Sequence, residues 1–265
     1  MASELLSRIA IVTGASAGIG LASAKRLVEA GARVIVNARR ADRLHALCAE
    51  LNRGRPEPRA AAVAGDCSTP DTIAAMLAGA RRNFGAPADL VLVNAGRGLR
   101  GSVLDSDVQQ WEEVIRTNVL GAARLLRAAA AEMLESLAAD AAGGTAWTAR
   151  PRDLIVIGSV VGRNVSPFSS MYGSTKFAIQ AVAEGLRREL GPKGIRVSML
   201  APGFVVSEFQ GVAGYDPAWF RGVLEKLGPA LDPDDVARTV AFIASQPAHV
   251  HLGDVLLRPT RQDYP

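Results

Sequence analysis

Short runs of Val, Ile, Leu and Ala alternate along this chain with longer segments in which apolar positions recur three and four apart. The short runs predict strands at Arg8–Thr13, Arg33–Asn37, Ala60–Ala64, Asp89–Val93, Leu154–Ile157, Arg196–Leu200 and Asp254–Leu257. Between them the helical period predicts helices over Ile19–Ala30, closed by Gly31, and over Ala41–Asn52, with a polar loop at Arg53–Arg59. Ser68-Thr69-Pro70 offers capping residues and a first-turn proline for a third helix. A long helix is expected over Asp107–Ala138 and another over Met171–Leu190. Strands that are apolar at nearly every position are buried on both faces, as in a parallel sheet with helices on either side. The expected fold class is α/β: a single doubly wound Rossmann-type domain over residues 1–265, with a seven-stranded parallel sheet.

Two segments break the rhythm. Ala139–Arg152, rich in Ala and Gly, is longer than a helix-to-strand connection needs and reads as a surface insertion. Phe204–Pro229 follows the sixth strand and carries Phe204, Phe209, Tyr215, Trp219 and Phe220. Ligands of such sheets bind at the carboxyl ends of the strands, so this segment is placed to be a substrate lid.

Composition narrows the classes. The chain has 265 residues, 49% hydrophobic, enough for one large core. Its net charge is +4, and all of its 30 basic residues are arginine except Lys25, Lys176, Lys193 and Lys226. They are scattered, with few aromatic residues among them, which argues against a nucleic-acid surface. No apolar run is long enough to span a bilayer, and Met1–Arg8 lacks the layout of a signal peptide. A cytoplasmic protein without a membrane partner is expected. Cys48 and Cys67 form no disulfide framework, and His249 and His251 alternate beside a terminal strand without a metal-site spacing, so no metal is expected.

The chemistry concentrates in three places. Tyr172-Gly-Ser-Thr-Lys176 puts a phenol and an ammonium four residues apart, on one face of a helix. A fixed cation there favours the phenolate and lowers the tyrosine pKa towards the range of a proton donor. Thr13-Gly14-Ala15-Ser16-Ala17-Gly18-Ile19-Gly20 follows the first strand and opens the first helix. In that context glycines let the backbone approach a pyrophosphate, and the helix start supplies N–H donors. At the end of the second strand stand Asn37-Ala38-Arg39-Arg40, and the first acid is Asp42. An acid there would favour NAD; Arg39 and Arg40 instead suit a 2′-phosphate that no carboxylate repels, so NADP(H) is the expected cofactor.

These pieces, in this order, resemble the compact short-chain dehydrogenase/reductase family over almost the whole chain. The further matches are Asp66 after the third strand, Asn94-Ala95-Gly96 after the fourth and Asn118 in the long helix. Ser159 after the fifth strand and Pro202-Gly203 after the sixth complete the set. The resemblance implies catalytic roles for Asn118, Ser159, Tyr172 and Lys176 in interconverting a carbonyl and an alcohol. Tyr172 would exchange a proton with the substrate oxygen, Ser159 would hold that oxygen, Lys176 would bind the nicotinamide ribose, and Asn118 would hold a water leading to solvent. It also implies cofactor contacts at Gly14, Ser16, Ala17, Gly18, Ile19, Gly20, Asn94, Ala95 and Gly96. Asp66 and Cys67 would lie near adenine, and Pro202, Gly203, Val205 and Ser207 near the carboxamide and pyrophosphate. Ala17 stands where NADP-preferring members often carry a basic residue, and Val93 replaces the first asparagine of the frequent NNAG.

The C-terminal third, with Leu231-Asp-Pro-Asp-Asp-Val-Ala237 and Leu257-Arg-Pro-Thr260, is similar to the branch holding serine/3-hydroxy acid dehydrogenases and clavulanate-type aldehyde reductases. That similarity implies a small polar or carboxylate-bearing substrate, with Arg97 and Arg100 placed to attract it. The aromatic lid suggests the alternative, a bulkier biosynthetic ketone, aldehyde or quinone. A non-catalytic NADP(H) sensor would have no need of Ser159, Tyr172 and Lys176 together. The resemblance further implies a homodimer or homotetramer built through the two long helices, where Ala178, Ala181, Val182 and Gly185 offer either a close-packing face or a contact with the chain's own sheet.

Overall fold

The computed structural model describes residues 5–164 and 166–264; the part of the signal-peptide reading that falls on residues 1–4 lies outside them. Seven strands form one sheet: β1 (Ile9–Thr13), β2 (Arg33–Ala38), β3 (Ala60–Ala64), β4 (Leu90–Val93), β5 (Asp153–Ile157), β6 (Arg196–Pro202) and β7 (Asp254–Leu257). The order is β3-β2-β1-β4-β5-β6-β7 and every pairing is parallel. Alternation along β1 shows why its residues are all apolar. Ala10 and Val12 enter one core with α1 (Gly18–Glu29), α2 (Ala41–Asn52) and α9 (Pro233–Ser245). Ile9 and Ile11 enter the other, with α3 (Pro70–Phe84), α5 (Ala122–Ala142) and α6 (Ser170–Leu190).

Side-chain caps and a glycine mark the ends of two of these helices. Thr69 caps α3 through its side chain, Pro70 occupies the first turn, and Gly85 closes the helix at φ +78°. Asp232 and Asp235 form a reciprocal capping box at the start of α9.

The long helix expected over Asp107–Ala138 is present but not regular, and it runs on to Ala142. After a short 3-10 turn, α4 (Trp111–Ile115) passes into a π turn at Arg116–Gly121 before α5 begins. The wider turn carries Asn118 inward to bond the backbone of Arg97 and the side chain of Thr175. The segment Ala139–Arg152 is likewise only partly an insertion. Its first residues extend α5 to Ala142, and Arg152 is buried beneath that helix, bonded to Asp140 and to Ser136 Oγ at 3.1 Å. On α6 the residues packed inward are Tyr172, Thr175, Lys176, Ile179 and Ala183, whereas Ala181, Val182 and Gly185 are exposed. Contact with the chain's own sheet therefore does not account for those three.

At the amino ends of the central strands lies a buried ionic cluster. Arg8 reaches Asp89 at 2.8 Å and Asp153 at 2.7 Å, and Asp153 also binds Arg196 at 2.7 and 2.9 Å. The remaining Arg196 donors meet the carbonyls of Gln246, Pro247 and Val250, at the turn that follows α9. Among the described residues no helix is long and apolar enough to cross a membrane.

Candidate active site

Strand order reverses between β1 and β4, and a cavity of about 410 Å³ opens above their carboxyl ends. One end of it is formed by the turn into α1. Gly14 (φ +69°) and Gly18 (φ +54°) adopt conformations that side chains disfavour, and a Cβ on Gly14 would lie 2.8 Å from the Asn94 amide. That close approach is held from below by Thr13, whose hydroxyl accepts from the backbone of Asn94 and Ala95 at 3.0 Å each and donates to Leu92. Ala17 begins α1 without a side-chain cap, so the first-turn donors face the cavity with no competing group of its own.

Most of the residues anticipated from the sequence meet around this one cavity. Gly14, Ala17, Gly18, Ile19, Asn94, Ala95 and Gly96 line the end beside the turn into α1, with Arg40 among the lining residues. Ser159, Tyr172 and Lys176 line the other end, and Pro202, Gly203, Val205 and Ser207 run along a wall between. The rest stand behind the lining. Gly20 is packed within α1 against the Gly14 carbonyl. Ser16 is buried and receives Arg40 Nε and Nη2 at 3.1 and 2.9 Å. Arg39 points outward, 3.6 Å from Glu113, and does not join Arg40 in a clamp.

Asp66 accepts from Ser68 and, at 2.7 Å, from Arg116. Burial pushes its carboxyl up, but the bonds from Arg116 and Ser68 prevail and hold it at about 2. The neighbouring Cys67 thiol is pushed up to about 11, by burial first and Asp66 second. Asn118 is occupied on both sides of its amide, accepting from Arg97 N at 2.8 Å and donating to Arg97 O and Thr175 Oγ1 at 2.8 and 3.0 Å.

The end of the cavity beside α6 departs from the expected electrostatics. Lys176 and Tyr172 do share one face of α6, with the ammonium 5.7 Å from the ring centre. However, Lys176 Nζ donates to the Ile157 carbonyl at 2.9 Å, and both side chains are buried. Burial lowers the Lys176 pKa to about 8. It raises that of Tyr172 above its ordinary range, against the opposing hydrogen bond with Ser159. Desolvation thus outweighs the hydrogen bond with Ser159, and Tyr172 holds its proton more firmly than a free phenol. Its ring packs on Phe209, centroids 5.5 Å apart.

Sequence reasoning missed several neighbours. Glu208 binds Arg40 at 2.8 Å and Arg43 at 2.6 Å, a carboxylate brought to the arginines from 168 and 165 residues away. Gln262 accepts from Phe204 N at 3.0 Å and lies where a Gly203 Cβ would project. Arg116 and Thr175 also carried no signal, because their partners lie 50 and 57 residues away.

Comparison with known proteins agrees with this geometry. The family model for short chain dehydrogenases matches residues 8–216, and the chain belongs to that family of oxidoreductases. It is 32% identical to the human protein called dehydrogenase/reductase SDR family member 11, over 96% of this chain and 95% of that one. Among solved structures it is similar to a metagenomic short-chain oxidoreductase in complex with NADP (30% identity, TM-score 0.76, covering 98% of this chain and 100% of that one). It is also similar to the closed form of a serine dehydrogenase complexed with NADP+ (28% identity, TM-score 0.81, covering 97% and 96%).

Proposed function

We propose that the protein is an NADPH-dependent reductase of a carbonyl compound, acting on a bulky, largely apolar ketone, aldehyde or quinone. The observation that carries the reading is one cavity with Ser159, Tyr172 and Lys176 at one end and the uncapped start of α1, beneath Gly14 and Gly18, at the other. The residues fit a dinucleotide: the glycine turn admits a pyrophosphate to backbone donors, and Arg40 at the rim suits a phosphate on the adenosine ribose. The two structural relatives complexed with NADP or NADP+ support the same choice. A bound nicotinamide nucleotide supplies the hydride.

The chain's own residues would do the rest. Ser159 holds the substrate oxygen and stabilises the charge that develops on it. Tyr172, protonated at neutral pH, delivers a proton to that oxygen. Lys176 leaves the Ile157 carbonyl to hold the nicotinamide ribose, and Asn118 keeps the turn at Arg97 in place beside it. The segment 204–229 acts as the lid, and the exposed small residues on α6 favour assembly with a second copy.

The size and polarity of the pocket support the bulkier substrate over the small carboxylate. Val161, Phe168, Phe209, Tyr215, Trp219 and Phe220 face the space next to Tyr172. Neither Arg97 nor Arg100 lines it: Arg97 is held by Glu113 at 3.1 Å and Gln110 at 2.7 Å, and Arg100 reaches the Gly214 carbonyl. Lys226, at the far rim, lies 3.7 Å from Asp263. The test is NADPH consumption, followed by near-UV absorbance, against large apolar ketones and quinones paired with small keto acids and carboxylate-bearing aldehydes. Turnover of the first set supports the reading, and turnover of the acids alone rejects its substrate half.

A further inference from the structure

The two ends of the adenosine-side rim come from distant parts of the chain. Arg40 precedes α2 and Arg43 lies in its first turn, while Glu208 stands between Ser207 and Phe209, ahead of α7 (Phe209–Val212). Glu208 Oε2 accepts from Arg40 Nη1 at 2.8 Å, and Oε1 from Arg43 Nη1 at 2.6 Å. Arg40 is fixed from the other side by Ser16, and Arg40 and Glu208 both line the cavity. The carboxylate is thus bonded to the cations that a 2′-phosphate would use.

A carboxylate at the end of β2 accepts a hydrogen bond from a ribose 2′-hydroxyl and repels a 2′-phosphate. The β2 sequence lacks that group, but folding delivers one from the segment after β6. We propose that Glu208 is a specificity-determining residue for the nucleotide: it competes with the 2′-phosphate of NADPH for Arg40 and Arg43 and offers an acceptor to the 2′-hydroxyl of NADH. This rests on the nicotinamide-binding role proposed above. The protein would therefore use NADPH with an affinity held down by its own carboxylate, and would accept NADH more readily than its arginines suggest. Glu208 is half exposed, so removing its charge leaves the fold intact while freeing both guanidiniums.

The experiment is calorimetric titration of the full chain and of Glu208→Gln and Glu208→Ala with NADPH, NADH, adenosine 2′,5′-bisphosphate and adenosine 5′-monophosphate. The last two lack nicotinamide and differ from each other only at the 2′ position. In both variants NADPH and the bisphosphate should bind about two- to fivefold more tightly, the range of an exposed ion pair released. Binding of NADH and of the monophosphate, which share the free 2′-hydroxyl, should weaken in Glu208→Ala, where that acceptor is gone. An unaltered ratio of bisphosphate to monophosphate affinity would overturn the role of Glu208 while leaving the cofactor assignment standing. If neither dinucleotide binds the unsubstituted chain, the proposed function itself fails, and this inference with it.

Discussion

The sheet carries buried charge at both ends of its strands, and the two ends treat it in opposite ways. At the amino ends, Arg8, Asp89, Asp153 and Arg196 are buried together, each cation within 2.8 Å of a carboxylate, and spare donors are taken by carbonyls. Burial pulls the Arg8 pKa down, but Asp89 and Asp153 more than offset it, and the guanidinium is held above its ordinary value. At the carboxyl ends Lys176 is equally buried, yet its ammonium meets one carbonyl and no carboxylate. Charge that is paired on burial holds strands together. Charge buried without a counter-ion weakens the fold, and it marks the place where a ligand completes the chemistry.

Four substitutions probe that contrast. Tyr172→Phe should have the largest effect, lowering kcat about 10²–10⁴-fold in steady-state assays while urea denaturation stays nearly unchanged. A large loss of stability instead would make the upper end as structural as the lower. Asp153→Ala strands two buried guanidiniums and should remove about 3–5 kcal/mol of unfolding free energy. If denaturant titration finds less than about 1 kcal/mol, the lower cluster is not the clamp described here.

Lys176→Met should act in the other direction, stabilising the protein by about 3 kcal/mol at pH 7, since the lysine pKa falls from 10.5 to about 8 on folding. The sign also sets a pH dependence. Between pH 8 and 10 the folded lysine loses its proton while the unfolded one keeps it, so the unsubstituted protein gains stability as pH rises. Above pH 10 the raised Tyr172 works against it, because the unfolded phenol ionises first. The methionine variant should lack the gain between pH 8 and 10, and a parallel rise in both proteins would assign it elsewhere. Smallest of all, Arg26→Ala breaks an exposed two-bonded pair with Asp234 that joins α1 to α9, and should cost about 0.5–1 kcal/mol in the same denaturation assay.

The sheet was legible because its signal is local. Each strand is a run of apolar residues, and Ser68-Thr69-Pro70 marks the start of α3 without reference to anything distant. Much of the set that lines the cavity was legible for a different reason: Tyr172 and Lys176 are one helical turn apart, and the glycine turn directly follows β1. What stayed hidden depends on folding. Glu208 meets Arg40 across 168 residues, and Arg8 meets Asp153 across 145, so no window of sequence contains both partners. Arg97 and Arg100 looked like substrate-attracting cations because their neighbours Glu113 and Gly214 arrive only in space. The tyrosine pKa was misjudged similarly: helical spacing reports that a cation is near, but not that both groups are withdrawn from water.

The π turn at Arg116–Gly121 bears on how this gene can change length. A π turn closes from residue i to i+5 and so holds one residue more than an α turn, and excising one codon from it would let α4 and α5 merge into one regular helix with each keeping its phase. Asn118, inside the turn, would then swing away from Arg97 and Thr175, while Leu125, Leu126 and Met133 would stay in the core. Single-residue deletions should therefore be absent from functional variants across 116–121, yet tolerated at the exposed turn of Gly143 and Gly144, where no side chain is committed to the interior.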